Sequence, residues 1–300
     1  MRNLLIITLF IITFFYLRDK IRRKNIYDNF KILNYEKKSD IYYLPKIIFC
    51  YWHNYEDDDF IKLFVENWKK KISPDWNIIV LHKNNIEEYT KNYMDKYKDL
   101  DTTKYSDFLR LYLLKEYGGV WMDISTVVID GNFLDDYYKE MIENKYDCLL
   151  YEYNHKTKHK EYPYLENWFI MAPKNSILIN EWFYIFDKSF EMGFIEFKKN
   201  ILIESGLDLS NTIGSFYDIY LMMHACLNYL MYKGKKFHIC IKDACESMFN
   251  LQIESNWENN NLLELICQKK FDNLYSIKLV GSQRNYLKDK DCFINFLKQV

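Results

Sequence analysis

The sequence is poor in glycine and proline, and it lacks the motifs of several common enzyme classes. Its 300 residues include only 8 glycines and 4 prolines, so a glycine- or proline-rich linker between domains is not expected. It contains no G-x-x-x-x-G-K, no G-x-G-x-x-G, no G-x-S-x-G and no H-E-x-x-H. These absences disfavour P-loop nucleotidases, Rossmann dehydrogenases, α/β-hydrolases and zinc proteases of the common type.

An excess of charge of either sign is also missing. The chain has 41 Lys and Arg against 42 Asp and Glu, for a formal net charge of −1. Proteins that hold nucleic acid neutralise its phosphates with a basic surface, so no nucleic-acid partner is expected. The length and a hydrophobic content of 49% suit one large α/β domain with a substantial core.

The cysteines show no pattern typical of a disulfide framework or a zinc site. They are odd in number, scattered, and never spaced as C-x-x-C. Free and mostly buried thiols are therefore expected, which favours a reducing compartment. The seven are Cys50, Cys148, Cys226, Cys240, Cys245, Cys267 and Cys292.

One apolar run stands at the amino terminus, from Leu4 to Leu17. As a helix it would cover about 21 Å, less than the roughly 30 Å of a bilayer core. No small-residue cleavage site follows, and a basic cluster does, so residues 1–18 are predicted as a retained membrane anchor. We expect a polar stem at 19–43 and a single folded domain at 44–300. The basic cluster favours a cytoplasmic domain, as does the absence of any N-x-Ser/Thr sequon; a luminal domain is the alternative.

Beyond the stem, strand and helix patterns alternate. KIIFCYW and NIIVLH have strand character, and each is followed by a segment with helical spacing of apolar residues. VWMDISTVVI, CLLYEY and ENWFIMAP also resemble strands, whereas FYDIYLMMHACLNYLMYKG resembles a long helix. This order predicts an α/β domain with a parallel sheet.

Charged residues interrupt one strongly apolar helix. Asp107 and Arg110 are three residues apart and so share a face of the helix, which ends at Gly118-Gly119. Asp123 follows at the predicted end of a strand, where ligands of open α/β sheets bind. A nucleotide diphosphate needs carboxylates for hydroxyl groups and cations for phosphates. Asp also offers the oxygen ligand that Mg²⁺ or Mn²⁺ prefers. An internal Asp107–Arg110 ion pair is the alternative.

The stretch SDFLRLYLLKEYGGVWMDIST resembles the signature of DXD-type glycosyltransferases of the GT-A fold. That group includes yeast α-mannosyltransferases and clostridial glucosylating toxins, and the likeness is greatest to capsular polysaccharide synthesis transferases. LPKIIFCYWHN, PDWNIIVLHKNNIEEY and YLENWFIMAPKNS resemble further segments of the group. The resemblance covers residues 44–278. It implies a GT-A-like, mixed but mostly parallel sheet flanked by helices, with the N-terminal anchor helix preceding it.

The resemblance also implies a reaction and roles for residues. A hexose would pass from a nucleotide-diphosphate sugar to a glycan, lipid-linked or protein acceptor. Trp52 would stack on the donor's base, Asp107 would bind ribose or sugar hydroxyls, and Arg110 would contact the sugar or phosphate. Asp123 and Arg110 would be the catalytic pair. Asp123 and Ser125 would hold a divalent cation, Mn²⁺ or Mg²⁺, although Ser125 replaces the second carboxylate of the motif and leaves metal dependence open.

Other residues are weaker candidates. His224 lies in an apolar helix and is expected to be a core histidine with its hydrogen bonds satisfied. Lys278 and Arg284 could reach a diphosphate, with plain surface positions as the alternative. His238, Asp243 and Glu246 could add a metal or acceptor contact.

Two rival functions remain open. A non-catalytic membrane-attached protein could keep the fold after losing metal binding through Ser125. A glycoside hydrolase could pair Asp123 with Asp107 or Asp130, which requires two carboxyl groups about 5 to 9.5 Å apart across one cleft.

Overall fold

A computed structural model describes residues 42–210, 219–269, 271 and 274–300. The predicted anchor at 1–18 and nearly all of the predicted stem at 19–43 lie outside these residues. Within the described part of the chain, none of the helices has the length and apolar character needed to span a membrane.

The centre of the domain is a six-stranded mixed sheet, in the order β2-β1-β3-β6-β5-β7. Three of its five strand pairs are parallel and the two that involve β6 are antiparallel. A separate two-stranded sheet pairs β4 with β8. The strands are β1 (Ile47–Tyr51), β2 (Asn77–Leu81), β3 (Gly119–Met122), β4 (Thr126–Val128), β5 (Cys148–Glu152), β6 (Leu165–Ala172), β7 (Ile239–Asp243) and β8 (Ser276–Lys278).

Helices cover both faces of the larger sheet. They are α1 (Asp59–Lys71), α2 (Ile86–Thr90), α3 (Thr102–Tyr117), α4 (Asn132–Asn144), α5 (Ile177–Met192), α6 (Phe194–Phe197), α7 (Met222–Tyr232), α8 (Asn250–Glu254), α9 (Asn259–Cys267), α10 (Gly281–Leu287) and α11 (Asp291–Gln299). Short 3₁₀ turns at Tyr55–Asp57 and Tyr93–Tyr97 and a π-helical turn at Lys198–Ile203 complete the helical elements of the described residues. The predicted mixed, mostly parallel sheet flanked by helices is confirmed.

The sheet separates two hydrophobic cores. On β1, Phe49 packs into the core beneath α3, α5 and α7, whereas Ile48 and Cys50 pack into the core beneath α1, α4 and α11. Successive side chains of a strand point to opposite faces. A strand buried on both faces therefore reads as a continuous apolar run rather than an alternating one, as IIFCY does.

A tight turn sets the path from α3 into β3. The side chain of Asp101 caps the start of α3 by accepting from two backbone N–H groups. Gly118 (φ +73°) and Gly119 (φ +102°) then reverse the chain. A Cβ on Gly118 would lie 2.4 Å from the backbone nitrogen of Lys174, so the turn has no room for a side chain. The chain thus enters β3 directly beneath the helix that carries Asp107 and Arg110.

Two local predictions were wrong. VWMDISTVVI is not one strand: β3 ends at Met122, and β4 begins at Thr126 in the other sheet. The described part of the helix predicted over FYDIYLMMHACLNYLMYKG is limited to α7, Met222–Tyr232.

The expectation of seven free thiols is also corrected. Cys267 at the end of α9 and Cys292 in α11 form a disulfide, because these two helices pack together. The other five cysteines are free and buried, as predicted. Disulfides are typical of oxidising compartments, so cysteine usage no longer favours a reducing one.

Candidate functional site

A cleft of about 820 Å³, lined by charged and aromatic side chains, lies at one edge of the larger sheet. The carboxyl ends of the parallel strands β1 and β3 meet there, beside the amino end of antiparallel β6. Ligand sites in proteins have volumes of roughly 300–1,000 Å³, so the cleft is large enough for a nucleotide sugar. The five predicted site residues all line it: Trp52, Asp107, Arg110, Asp123 and Ser125. Their roles toward a ligand stay predictions.

The helix α3 contributes a buried charge network. The Asp107 carboxylate lies 3.2 Å from the Lys104 ammonium and 3.4 Å from the Arg110 guanidinium, and its side chain is only 5% exposed. Asn167 donates a further hydrogen bond to Asp107. The alternative of an internal Asp107–Arg110 pair therefore holds in part, but the network also faces the cleft.

Arg110 links this network to the sheet. Its guanidinium donates to the backbone oxygen of Asn167 at 2.7 Å and also to the backbone and hydroxyl oxygens of Ser106. It lies over the ring of Trp121. One nitrogen is 3.8 Å from the Asp123 carboxylate. These contacts fix the guanidinium plane at the floor of the cleft.

Asp123 stands at the end of β3, where its backbone N–H donates to the oxygen of Trp168. Its carboxylate accepts from the indole N–H of Trp121 at 2.9 Å and lies 3.1 Å from the Lys278 ammonium. Burial raises the pKa of Asp123, but Lys278 and Arg110 outweigh that effect and hold the pKa below its ordinary value. Asp123 is therefore an ionised carboxylate, 29% exposed, that faces the cleft.

Lys278 is buried in the cleft wall, not exposed on the surface. The pairing of β4 with β8 places it opposite Thr126, next to Ser125. Its ammonium donates to the Ser125 hydroxyl at 2.8 Å and to the Leu279 backbone oxygen at 3.0 Å. Burial lowers the pKa of Lys278, and Asp123 opposes that shift. Ser125 in turn donates its own proton to the Leu279 oxygen.

Trp52, directly after β1, forms one end of the cleft. Its indole N–H donates to Asp58 at 3.0 Å, and the Arg284 guanidinium lies 4.6 Å from the ring centre. Burial lowers the pKa of Arg284, and Asp123 and Asp58 oppose this. Trp52 is thus both partly packed against the core and part of the cleft lining.

His224 differs from its prediction. It is buried, but neither ring nitrogen has a hydrogen-bond partner among the residues that the structure describes. The ring stacks on Tyr164, with ring centres 5.2 Å apart, and Nε2 lies 3.9 Å from the Glu166 carboxylate. His224 and Glu166 both line the cleft. This histidine has unused hydrogen-bonding capacity at the cleft wall, with both ring nitrogens shielded from solvent.

Several other candidates lie elsewhere. His238, Asp243, Glu246 and Asp130 do not line the cleft. Asp243 accepts hydrogen bonds from Asn154 and from the backbone N–H of Cys245. Asp130 accepts a hydrogen bond from the backbone N–H of Asn132 at the start of α4. The second carboxylate that a hydrolase needs is therefore not supplied by Asp130.

The residues around Asp123 do not suit a divalent cation. Among the described residues, no group of three or more His, Cys, Asp or Glu side chains could hold a metal ion. Next to Asp123, the positions of possible ligands are taken by the Ser125 hydroxyl, which is already hydrogen-bonded twice, and by the Lys278 ammonium. The predicted Mn²⁺ or Mg²⁺ at Asp123 and Ser125 finds no support in this arrangement.

Lys104 in the buried charge network and Glu166 and Asn167 in the cleft wall were not predicted from the sequence. They carry no recognisable motif of their own. Asn167 and Glu166 are adjacent on β6, and their role depends on the antiparallel pairing of β6 with β3. The one sequence signal was the polar pair Glu-Asn within an otherwise apolar strand.

The family model of the capsular polysaccharide synthesis proteins matches residues 12–285, and the chain belongs to this family. The resemblance seen in the sequence is thereby confirmed, and membership supports a glycosyltransferase-like function in capsular polysaccharide or glycoconjugate synthesis. No curated protein matches the sequence at a significant level.

Several solved structures are similar at low identity. One is the PaToxG glycosyltransferase, 16% identical over 94% of this chain and 98% of that chain, with a TM-score of 0.36. Another is a glycosyltransferase involved in the glycosylation of the major capsid of PBCV-1. It is 9% identical over 85% of this chain and 100% of that chain, with a TM-score of 0.42. A third is S. aureus TarS 1–349, which is 12% identical over 83% of this chain and 70% of that chain, with a TM-score of 0.30.

Proposed function

We propose that this member of the capsular polysaccharide synthesis family transfers a hexose from a nucleotide-diphosphate sugar to a hydroxyl group of a glycan, lipid-linked or protein acceptor. One observation carries the proposal. Arg110 and Lys278 lie beside the ionised Asp123, and a third cation, Arg284, lies over the indole at one end of the same cleft. That combination of charges fits a diphosphate flanked by a base and a sugar.

The donor would lie along the cleft from Trp52 toward β6. Its base would contact the Trp52 ring, and its diphosphate would meet the three cations. The sugar hydroxyls would meet the carboxylate of Asp107 and the amide of Asn167, which already form a hydrogen bond to each other. Carboxylate acceptors and an amide that both donates and accepts suit a ring of hydroxyl groups.

The chemistry would be mainly electrostatic and positional. The bond between the anomeric carbon and the diphosphate oxygen breaks, and its electron pair leaves with the nucleoside diphosphate. The acceptor oxygen forms the new bond to the anomeric carbon and releases its proton to solvent water. Arg110 and Lys278, held in fixed positions by their backbone and side-chain contacts, stabilise the charge that develops on the leaving oxygen.

The acceptor would enter from the far side of the cleft, at His224 and Glu166. Three consecutive residues of β6 connect this side to the donor site. The Trp168 oxygen accepts from Asp123, the Asn167 oxygen accepts from Arg110, and Glu166 is the next residue. Aromatic side chains also line this side, among them Tyr164 and Trp257, and such rings combine an apolar face with a polar edge that suits sugars.

The predicted anchor at residues 1–18 would hold the cleft near a membrane-bound acceptor. Anchoring, and a cytoplasmic or luminal position of the domain, stay proposals that the described residues do not address.

The test is a donor panel. The full-length chain, purified in mild detergent, is incubated with UDP- and GDP-sugars, and nucleotide release is followed. We expect release with a small subset of donors and a loss of about 100-fold or more in Asp123→Asn and Arg110→Ala. Lys188→Ala, which removes an exposed ion pair outside the cleft, is the matched control.

Two outcomes would reject the proposal. Folded protein that neither binds nor turns over any donor would favour the non-catalytic alternative. Cleavage of a glycoside in the absence of nucleotide would favour a hydrolase.

A further inference from the structure

We infer that Lys278 takes the place of the divalent cation expected from the sequence resemblance, so that sugar transfer by this protein needs no bound metal. The inference rests on the proposed transferase function and names the group that serves the leaving diphosphate.

The position of Lys278 is set by the backbone. β8 pairs with β4 in a register that places Lys278 opposite Thr126. The backbone N–H of Leu279 donates to the backbone oxygen of Ser125, and the side-chain amide of Gln252 donates to the backbone oxygen of Lys278. The backbone of Lys278 is therefore fixed beside the end of β3, within reach of Asp123 and Ser125 for its ammonium.

The ammonium lies where a cation of an Asp-x-Asp motif would lie, between the side chains of residues 123 and 125. It is 3.1 Å from the Asp123 carboxylate and 2.8 Å from the Ser125 hydroxyl, and the lysine side chain is only 7% exposed. Its third contact is the Leu279 oxygen. An ammonium has three donors, and all three are directed at these acceptors.

A divalent cation does not fit the same position. Mg²⁺ requires oxygen ligands in a near-octahedral arrangement at about 2.0–2.1 Å. Ser125 supplies a neutral oxygen that already donates to Leu279 and accepts from Lys278. A metal would have to displace a buried ammonium or bind in direct contact with it, and like charges repel strongly in a partly dry cleft.

The charges balance in either arrangement. Two carboxylates neutralise a divalent cation, whereas one carboxylate neutralises one ammonium. Replacement of the second Asp by Ser125 therefore matches the replacement of a doubly charged ion by singly charged Lys278. Ser125 in place of the second Asp and the buried Lys278 are separate features of the sequence. In this arrangement each accounts for the other, because one positive charge needs only one carboxylate.

Lys278 would act on the leaving group without transferring its own proton. Asp123 is the most exposed of its three acceptors, since its side chain is 29% exposed whereas Ser125 is buried, so a diphosphate oxygen can share that N–H bond. As the bond to the anomeric carbon breaks, the electron pair moves onto the diphosphate and its new charge is stabilised by the ammonium and by Arg110.

The first arm of the test uses the unmodified full-length chain and the donor identified by the panel. We expect turnover to be unchanged after exhaustive EDTA treatment and to rise less than twofold on addition of Mn²⁺ or Mg²⁺. Turnover abolished by EDTA and restored by Mn²⁺ would overturn the inference while leaving the transferase function intact.

The second arm changes the cation. Lys278→Ala is expected to lower turnover about 100-fold or more without metal. The double variant Ser125→Asp with Lys278→Ala recreates Asp-x-Asp with room for an ion, and we expect its turnover to become Mn²⁺-dependent. The control Lys242→Ala removes a partly buried lysine that pairs with Glu140 outside the cleft. Full metal-free turnover by Lys278→Ala would contradict the inference.

The third arm does not depend on catalysis. Binding of Mn²⁺ is measured by electron paramagnetic resonance, alone and with UDP or GDP, for the unmodified chain and the double variant. We expect stoichiometric Mn²⁺ binding in the double variant only. Stoichiometric binding by the unmodified chain that Asp123→Asn removes would overturn the inference even if no donor is turned over.

Discussion

At the scale of single residues, Asp123 is the centre of the cleft's electrostatics. A carboxylate between Lys278 and Arg110 is stabilised in its ionised form, and its pKa is lowered although burial alone would raise it. The pKa of Asp in an unfolded chain is about 3.9. A carboxylate whose pKa is lower than this in the folded chain stabilises the fold fully at pH values above the unfolded pKa. The contribution is lost as the pH falls through the folded pKa.

This gives a pH-dependent prediction for Asp123→Asn. The variant loses the ionised form, so its free energy of unfolding at pH 7 should be lower by on the order of 1–3 kcal/mol. The deficit should be constant from pH 7 to about 5 and should shrink below about pH 4. Urea unfolding of both proteins across this range measures it. A deficit that grows in acid would contradict the proposed ion pairing.

His224 gives a prediction about the acceptor. In His224→Gln, nucleotide release without acceptor should be unchanged, because the donor side is intact, whereas transfer to acceptor should fall about tenfold. His159→Gln is the matched control, since His159 also stacks on a tyrosine but pairs with Asp208 outside the cleft. An equal fall in both activities would show that His224 supports the fold or the donor instead.

At the scale of elements, the turn between α3 and β3 holds the site together. It brings Asp107 and Arg110 over the strand that ends at Asp123, and it has positive φ at two glycines. The turn therefore fixes the relative positions of the charges that the proposed reaction uses.

Gly118→Ala should destabilise the protein strongly. Its Cβ would meet backbone at 2.4 Å in addition to the strain of a positive φ. Gly234→Ala is the control, because Gly234 also has a positive φ (+80°) but its added Cβ would meet nothing within 4 Å. We expect a loss of about 1–2 kcal/mol for Gly234→Ala and more than about 3 kcal/mol for Gly118→Ala, both by urea unfolding. Equal losses of stability in the two variants would mean that the backbone at Lys174 shifts to make room for the added Cβ.

Elements with a local signal were predictable from the sequence. IIFCY and NIIVL are apolar, β-branched runs bounded by turns, and they form β1 and β2. The end of the next strand at Asp123 was predicted and is confirmed, but the separate strand β4 that follows it in another sheet was not predicted. Apart from Gly119, every residue of GVWM and TVV suits a strand, and the chain forms two separate strands because β4 pairs with β8, about 150 residues later.

At the scale of the whole molecule, the donor side of the site was predictable and the rest was not. Asp107, Arg110 and Asp123 are adjacent in a recognisable stretch of sequence. Lys278 and His224 come from distant elements, and folding alone decides that one lies beside Ser125 and the other beside Glu166. Nothing local distinguishes a cleft lysine from a surface one.

The cysteines provide a test of the global packing. In the unfolded chain prepared without reductant, we expect five thiols to react with iodoacetamide and the Cys267–Cys292 peptides to stay linked. In the native state at pH 8 the five should resist alkylation. They are buried, and burial raises their pKa values, for Cys240 to about 11. Mass spectrometry of the alkylated peptides measures both. Seven reactive thiols without reductant would contradict the packing of α9 against α11.

The most direct measurement for the central claim is a crystal structure of the full-length protein with the nucleoside diphosphate of its preferred donor. The account predicts the diphosphate within hydrogen-bonding distance of Lys278, Arg110 or Arg284, and the base against Trp52. It also predicts no metal ion between Asp123 and Ser125. A nucleotide bound elsewhere on the protein would contradict the proposed donor site. A nucleotide in the cleft with a divalent cation at Asp123 would contradict the role of Lys278 alone.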